Sequence, residues 1–363
     1  MIVLAYIIIG FTAIQLLVAL MNLLPGTTLP RSGVLSGELV SVLIPVRNEE
    51  NNIGNILQDL LIQDYKDIEI IVFDDQSDDR TGEVVRGLSA ADNRIKLITS
   101  EGLPDGWLGK NHACHSLSKY AKGNYLLFLD ADVRIRNNTI GKAISFAKKH
   151  GLSLISIFPK QIIKTTGEKM TVPNMNYILL SLLPLILVRK SKFTSLSAAN
   201  GQFMFFRTDV YNRLQPHWLM KNNKVEDISI SRYLKENDHK IACLVGDDNI
   251  NCRMYTGYLD ALQGFSKNVI AFFGNSFLLA LLFWLVTSFG FLPVLFLLPW
   301  KIFLAYLTMY LLTRIFISIA SHQNIINHLM YIVNLQLSMG IFILKAFINK
   351  HFRKFQWKGR SIE

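Results

Sequence analysis

The chain has 363 residues, half of them hydrophobic, with a mean hydropathy of +0.29. That is too apolar for an ordinary soluble enzyme, and long enough for one sizeable catalytic core beside a membrane portion. The net charge is +11, but no nucleic-acid-binding motif accompanies it, so no nucleic-acid partner is expected. Cys114, Cys243 and Cys252 match no metal or redox spacing and read as reduced thiols.

In chain order, residues 1–24 carry no charge and exceed the ~20 apolar residues that cross a bilayer. They lack a positive n-region and a small-x-small cleavage site, which predicts an uncleaved anchor rather than a signal peptide. Residues 25–38 form a linker rich in Gly, Pro and Ser. A β-rich apolar run, 39–44, predicts a strand that stops at Pro45. A helix follows over 52–61, with Ile53, Ile56, Leu57, Leu60 and Leu61 on one face. Strands are predicted at 68–73, 95–98 and 125–129, and helices at 81–88 and 111–121. Strands spaced by helices imply βαβ units and a mostly parallel sheet.

Residues 177–188 are apolar, too short to span a bilayer, and flanked by Arg189, Lys190 and Lys192. They predict a surface helix lying in the membrane interface. Residues 268–300 carry no charge, and two further apolar runs follow at 302–313 and 329–344. Between 345 and 360 there are six Lys or Arg and no acid, the pattern of a cytoplasmic flank against anionic headgroups. The expected topology is a hairpin of 271–298 and 302–320 turning at Pro299-Trp300-Lys301, against which Arg314 argues mildly. Residues 329–344 are then interfacial or re-entrant and return Trp357-Lys358-Gly359-Arg360 towards the active site; the alternative pairs 271–298 with 329–344 and leaves 302–320 interfacial. The expected organisation is an anchor (1–24), a linker (25–38), a catalytic domain (39–266), membrane helices (267–345) and a basic tail (346–363).

Ligands of parallel sheets bind at the carboxyl ends of the strands. There this chain places Pro45-Val46-Arg47-Asn48-Glu49-Glu50, then Asp74-Asp75-Gln76-Ser77-Asp78-Asp79, then Asp130-Ala131-Asp132. Carboxylates gathered on one edge are costly unless cations offset them. In an extended segment the two acids of Asp-Ala-Asp point the same way and can share one hard cation, Mg²⁺ or Mn²⁺, which also grips phosphate oxygens. Such a cation on a diphosphate neutralises charge on the departing group.

The order of these clusters resembles the family 2 glycosyltransferases of the GT-A fold, over residues 40 to about 270. The resemblance implies an α/β catalytic domain and a nucleoside-diphosphate sugar donor. It implies that Asp75, with Asp74 beside it, binds the base and that Pro45, Arg47 and Glu49 lie along the nucleoside. Asp130 would contact the ribose or sugar side, and Asp132 would hold the metal. Gly109-Lys110-Asn111 matches a Gly-Lys element near the donor, where Lys110 at a helix start can face phosphate. Glu226-Asp227 matches an acidic pair before a helix, with Asp227 as the general base. A single base without an obvious nucleophile implies inversion. The Gln-x-x-Arg-Trp of many membrane members is missing, which leans towards a single transfer. Gln263 and Lys267 stand where they could serve the diphosphate.

Gly106-Trp-Leu-Gly-Lys-Asn-His-Ala-Cys114 and Trp357-Lys-Gly-Arg360 look like the subgroup of C30 carotenoid and hopanoid-associated glycosyltransferases, which use apolar lipid acceptors. The small-residue turn Asn200-Gly201-Gln202 could let such an acceptor approach the sugar. His112 and His115 are assigned no role. The expectation is a multi-pass membrane enzyme with a cytoplasmic catalytic domain, moving a hexose to a lipid. Its rivals are a processive polysaccharide synthase and a non-catalytic scaffold.

Overall fold

Apolar side chains alternate along strand β1 (Val40–Val46), so that Val40, Val42, Ile44 and Val46 enter one core and Leu43 the other. Strands β2 (Ile68–Asp74) and β4 (Tyr125–Leu129) divide the same way. Both faces of the sheet are therefore covered, as a parallel sheet requires. The computed structural model describes residues 1–352, 356–357 and 360–361.

With β3 (Ile95–Thr99), β6 (Leu154–Phe158), β8 (Phe203–Arg207) and β9 (Ile241–Val245), these strands form a seven-stranded sheet in the order β3-β2-β1-β4-β8-β6-β9. Only β8 runs antiparallel to its neighbours. A small sheet of β5 (Val133–Ile135), β10 (Ile250–Cys252) and β7 (Lys160–Gln161) closes one side, with β10 in the middle.

The predicted helices are present as Ile53–Leu61, Thr81–Ala91 and Gly109–Ser118. Strand β1 does not stop at Pro45 but runs to Val46. The carbonyl of Val46 accepts the Asp75 N–H, so Val46 turns its polar groups to β2. The missing N–H of Pro45 then faces the side where pairing with β4 has already ended at Leu43.

One of the two cores does not end at the catalytic domain. It continues from Phe128 and Phe206 through Tyr177 to Phe283, Ile317 and Phe342. The helix Pro173–Leu182 sits at this junction and packs on the helices Ile2–Met21 and Trp300–Ala320. Residues 173–181 are buried on every side. The surface helix predicted for 177–188 is thus corrected. A segment apolar all round has no solvent face to offer, and it becomes core. Asn22 fastens the first helix here: its amide donates to the carbonyls of Leu180 and Leu183, and its oxygen accepts the Leu185 N–H. The linker is tied down as well, with Asn138 donating to the carbonyls of Gly33 and Val34.

Among the described residues, three helices are long and apolar enough to cross a membrane: Ile2–Met21, Trp300–Ala320 and Ile332–Asn349. The first predicted hairpin arm, 271–298, is not one helix. It breaks into Val269–Phe273, Phe277–Phe289 and Phe291–Leu297, and the pair Tyr258–Phe273 and Phe277–Phe289 is bent by 100°. Gly274 and Asn275, both at positive φ, end the first piece. The stretch predicted as re-entrant, 329–344, lies mostly in the continuous helix Ile332–Phe352. The expectation for the basic tail, including Trp357-Lys358-Gly359-Arg360, lies largely outside the described residues.

Candidate active site

Strands β1, β2 and β4 end on one edge, which sets residues 47–49, 75–79 and 130–132 side by side. The register of β8 against β4 pairs Leu129 with Phe203. Gln202 therefore stands opposite Asp130, whose N–H it accepts at 3.0 Å. The helices Gly109–Ser118 and Glu226–Glu236 start at the same edge. A cavity of about 540 Å³ opens between them.

Of the residues predicted for the site, Pro45, Arg47, Glu49, Asp75, Lys110, Asp130, Asp132, Asn200, Gly201, Gln202, Glu226, Asp227, Gln263 and Lys267 all line this cavity. Asp74 does not: it is buried and accepts the Ser77 N–H at 2.9 Å, shaping its own loop. Other acids of the edge also hold backbone. The Glu50 N–H donates to Asp79, the Arg80 N–H to Glu50, and the Asp78 N–H to the side-chain oxygen of Asn48. Arg47 donates to the carbonyls of Asp75 at 2.6 Å and Gln76 at 2.9 Å, so it fixes the loop that carries Asp75.

Asp130-Ala131-Asp132 is a turn, closed by the Val133 N–H on the Asp130 carbonyl, not the extended segment expected. Its two carboxylates meet different partners. Asp130 pairs with the Lys110 ammonium at 2.7 and 2.8 Å. Asp132 meets the Gln202 amide at 3.3 and 3.4 Å, and that amide also reaches the Cys252 sulfur at 3.1 Å. Burial, then the charges of Asp130 and Glu49, push the Asp132 carboxyl up to about 6. Gln202, expected on the acceptor side, thus stands beside Asp132.

Lys110 also donates to the Gly201 carbonyl at 3.2 Å. Burial disfavours its charge, but Asp130 and then Glu226 outweigh that and hold the amine above the usual lysine value. Lys110 thus faces carboxylates on both flanks. Asp227 accepts the Gly201 N–H at 3.0 Å and the Ile228 N–H at 2.8 Å. Burial raises its carboxyl above the ordinary value. Burial, then Asp227, push Glu226 up to about 7. A carboxyl raised above its ordinary value can take up a proton from a bound hydroxyl or acid.

Among the described residues no group of three or more His, Cys, Asp or Glu side chains is set to hold a metal. Asp130 and Asp132 supply two carboxylates from one turn. They suit a hard cation that keeps waters and takes its other oxygens from a phosphate.

Sequence reasoning missed Lys224, Tyr255 and Asp260, which also line the cavity. Lys224 carried a signal, two residues before the acidic pair. Phe158, Met175, Phe265 and Phe272 form an apolar flank, and Phe158, Met175 and Phe265 belong to the core shared with the membrane helices.

The family described as "Glycosyl transferase family 2" matches residues 41–215. The chain is 28% identical over 240 residues to the 4,4'-diaponeurosporenoate glycosyltransferase of Staphylococcus haemolyticus, covering 63% of this chain and 60% of that one. It is 33% identical over 147 residues to the enzyme of that name from Staphylococcus aureus strain USA300, covering 38% of each. The matches thus span less than two thirds of these relatives. The mannosyltransferase PcManGT from Pyrobaculum calidifontis, solved with GDP-Man and Mn²⁺, superposes with a TM-score of 0.56 at 14% identity, over 97% of this chain and 100% of its own. That likeness establishes the GT-A fold.

Proposed function

We propose, from the match of residues 41–215 to glycosyl transferase family 2, that the chain moves a hexosyl group, with inversion, from a nucleoside-diphosphate sugar to an apolar lipid. The observation that carries this reading is the make-up of the cavity. A nucleoside corner (Asp75, Arg47), a phosphate-side group (Asp130, Asp132, Lys110) and an acidic pair (Glu226, Asp227) share it with an apolar flank.

In this reading Asp75 and the loop held by Arg47 bind the base, and Pro45 and Glu49 line the nucleoside. Asp132, with Asp130, would hold Mg²⁺ or Mn²⁺. When bound, that ion supplies Lewis-acid neutralisation of the leaving diphosphate. Asp227 takes the proton from the acceptor as its oxygen bonds to the anomeric carbon, and the bond from that carbon to the donor phosphate breaks. The Gly201 N–H holds Asp227 in place for this. Glu226 and Lys110 set the local charge. Gln263 and Lys267, one helical turn apart, face the diphosphate. The relatives' name includes diaponeurosporenoate, a carotenoid acid, and the apolar flank suits an acceptor of that kind or a hopanoid.

We place the catalytic domain in the cytosol, with Ile2–Met21 crossing once, the pieces Phe277–Phe289 and Phe291–Leu297 leading out and Trp300–Ala320 leading back. Ala5 and Ile8 cluster with Val294 and Tyr306, and just past the returning helix Gln323 donates to the Gln161 carbonyl at 3.0 Å. Two crossings after the domain return the tail to its side. A reporter fused after Glu363 is expected to read cytoplasmic, and an extracytoplasmic signal overturns the scheme. The activity is tested with the full chain in detergent, a radiolabelled nucleotide sugar and a bacterial lipid extract. One discrete glycolipid is the expected product. A long polymer favours a processive synthase, and no turnover with any donor favours a scaffold.

A further inference from the structure

The catalytic domain and the membrane helices meet at a second cavity, of about 300 Å³. One wall is β7 with the helix Thr166–Lys169. The other is the turn that joins the helices Trp300–Ala320 and Ile332–Phe352. Lys160, Lys169, His322 and His328 line it with the amides of Asn324 and Asn327, and no carboxylate does. Lys160 is paired with the exposed Asp248 at 2.6 Å. Lys169 has no ion pair among the described residues.

A further charge stands behind this wall. Arg314 is 0% exposed. Its guanidinium lies 3.4 Å from the ring centre of Tyr177 and 5.3 Å from that of Tyr310, and its Nε has no hydrogen-bond partner. One terminal nitrogen bonds the Tyr310 hydroxyl at 3.2 Å and the other bonds His328 Nε2 at 3.4 Å. With Nε2 accepting, His328 Nδ1 donates to Ser318 Oγ at 2.8 Å, and Ser318 donates to the Arg314 carbonyl at 2.9 Å. Among the described residues no carboxylate meets the arginine, and burial, then the arginine's charge, hold the imidazole between it and the cavity below its ordinary value. In a low-dielectric wall such a charge acts over a longer distance than in water.

We propose that this cavity binds the phosphate of an anionic membrane lipid. The turn that forms it follows Trp300–Ala320, a helix long and apolar enough to cross a bilayer, at the end where that helix meets the catalytic domain, which sets it at headgroup depth. Lys169 and the amides of Asn324 and Asn327 meet the phosphate, while Arg314 supplies attraction through His328. The site takes no part in the transfer chemistry. It rests on the membrane reading of that helix and not on the donor or acceptor assigned above.

The test uses the full chain in a neutral detergent, titrated with short-chain phosphatidylglycerol, phosphatidylcholine or inorganic phosphate. Thermal unfolding and native mass spectrometry report binding. Phosphatidylglycerol is expected to raise Tm and to stay bound, and the other two are not. Lys169→Gln combined with His322→Asn, which keeps a residue tolerant of the positive φ at 322, is expected to weaken phosphatidylglycerol binding roughly five- to tenfold. In lipid-free detergent it should unfold at the wild-type temperature. If that variant does not fold, Asn327→Asp, which puts a carboxylate into the cavity, is expected to abolish binding. Wild-type affinity in a folded variant overturns the proposal. An equal Tm rise from inorganic phosphate overturns the lipid as its source.

Discussion

Lys110 and Arg314 are both cations withdrawn from bulk water, and the chain treats them in opposite ways. Lys110 lies in the cavity with Asp130 in contact and Glu226 near. Arg314 lies among helices with two tyrosine faces, a neutral histidine and no acid. The first arrangement concentrates negative charge and leaves room for more cation. The second concentrates positive charge and is offset by π faces and hydrogen bonds. A site for an anionic donor with a metal needs the first. A helix inside a membrane tolerates the second because each polar atom but Nε finds a partner.

The sharpest way to break this contrast is at Asp132. If the cavity relies on an added cation, Asp132→Ala should abolish transfer, as should EDTA with the wild type, and excess Mn²⁺ should restore only the wild type. Full turnover in EDTA would leave Asp130-Ala131-Asp132 as a turn held by its own backbone. The next effect is at the acidic pair. Asp227→Asn should lower kcat by a factor on the order of 10²–10⁴ while nucleotide-sugar binding, measured by calorimetry, persists. Loss of donor binding would make Asp227 a support for the Gly201 turn.

The part of this site that could be read from sequence is the part set by local pattern. Short apolar runs spaced by helices located β1, β2, β3 and β4, and with them the three polar clusters at one edge. What could not be read depends on distant pairing. Strand β8 lies between β4 and β6 in an antiparallel register, and only that register brings Gln202 to Asp132 and Gly201 to Asp227. The turn conformation of Asp130-Ala131-Asp132 depends on the same neighbour. Residues 177–188 were read as a surface helix because an apolar run carries no mark of what will cover it. The break near Gly274 was missed because apolar composition continues through it while the helix does not.

A third measurement compares the two cations directly. Lys110→Met leaves Asp130 and Glu226 facing one another without their counter-ion. Removing one partner of a buried pair costs ~3–5 kcal/mol, less where water reaches it, so a loss of about 2–4 kcal/mol is expected from denaturant unfolding in detergent. Arg314→Met leaves no charge stranded and gives up mainly its π contacts and two hydrogen bonds. Its cost should stay under about 2 kcal/mol. The reverse order would mean that Arg314 has an acidic partner in solution.

The smallest effect is a pH dependence confined to the cavity. Burial and the Asp227 charge raise Glu226 from its ordinary 4.5 to about 7. Between those two values the folded protein keeps a proton that the unfolded chain has released. Protons bound then number more in the native state, and stability falls as pH rises through this window. Glu226→Gln removes the titration. The variant should match the wild type near pH 5 and exceed it at pH 8. The full shift sets a ceiling of ~3 kcal/mol, and the half-buried position of Glu226 reduces the expectation to about 1–2 kcal/mol. Arg314 does not line this cavity, so Arg314→Met should run parallel to the wild type from pH 5 to 8. Denaturant midpoints at four pH values in metal-free buffer separate the cases. If Glu226→Gln keeps the wild-type slope, the titrating proton belongs to another carboxyl of the cavity, with Asp132, pushed up to about 6, the next to replace.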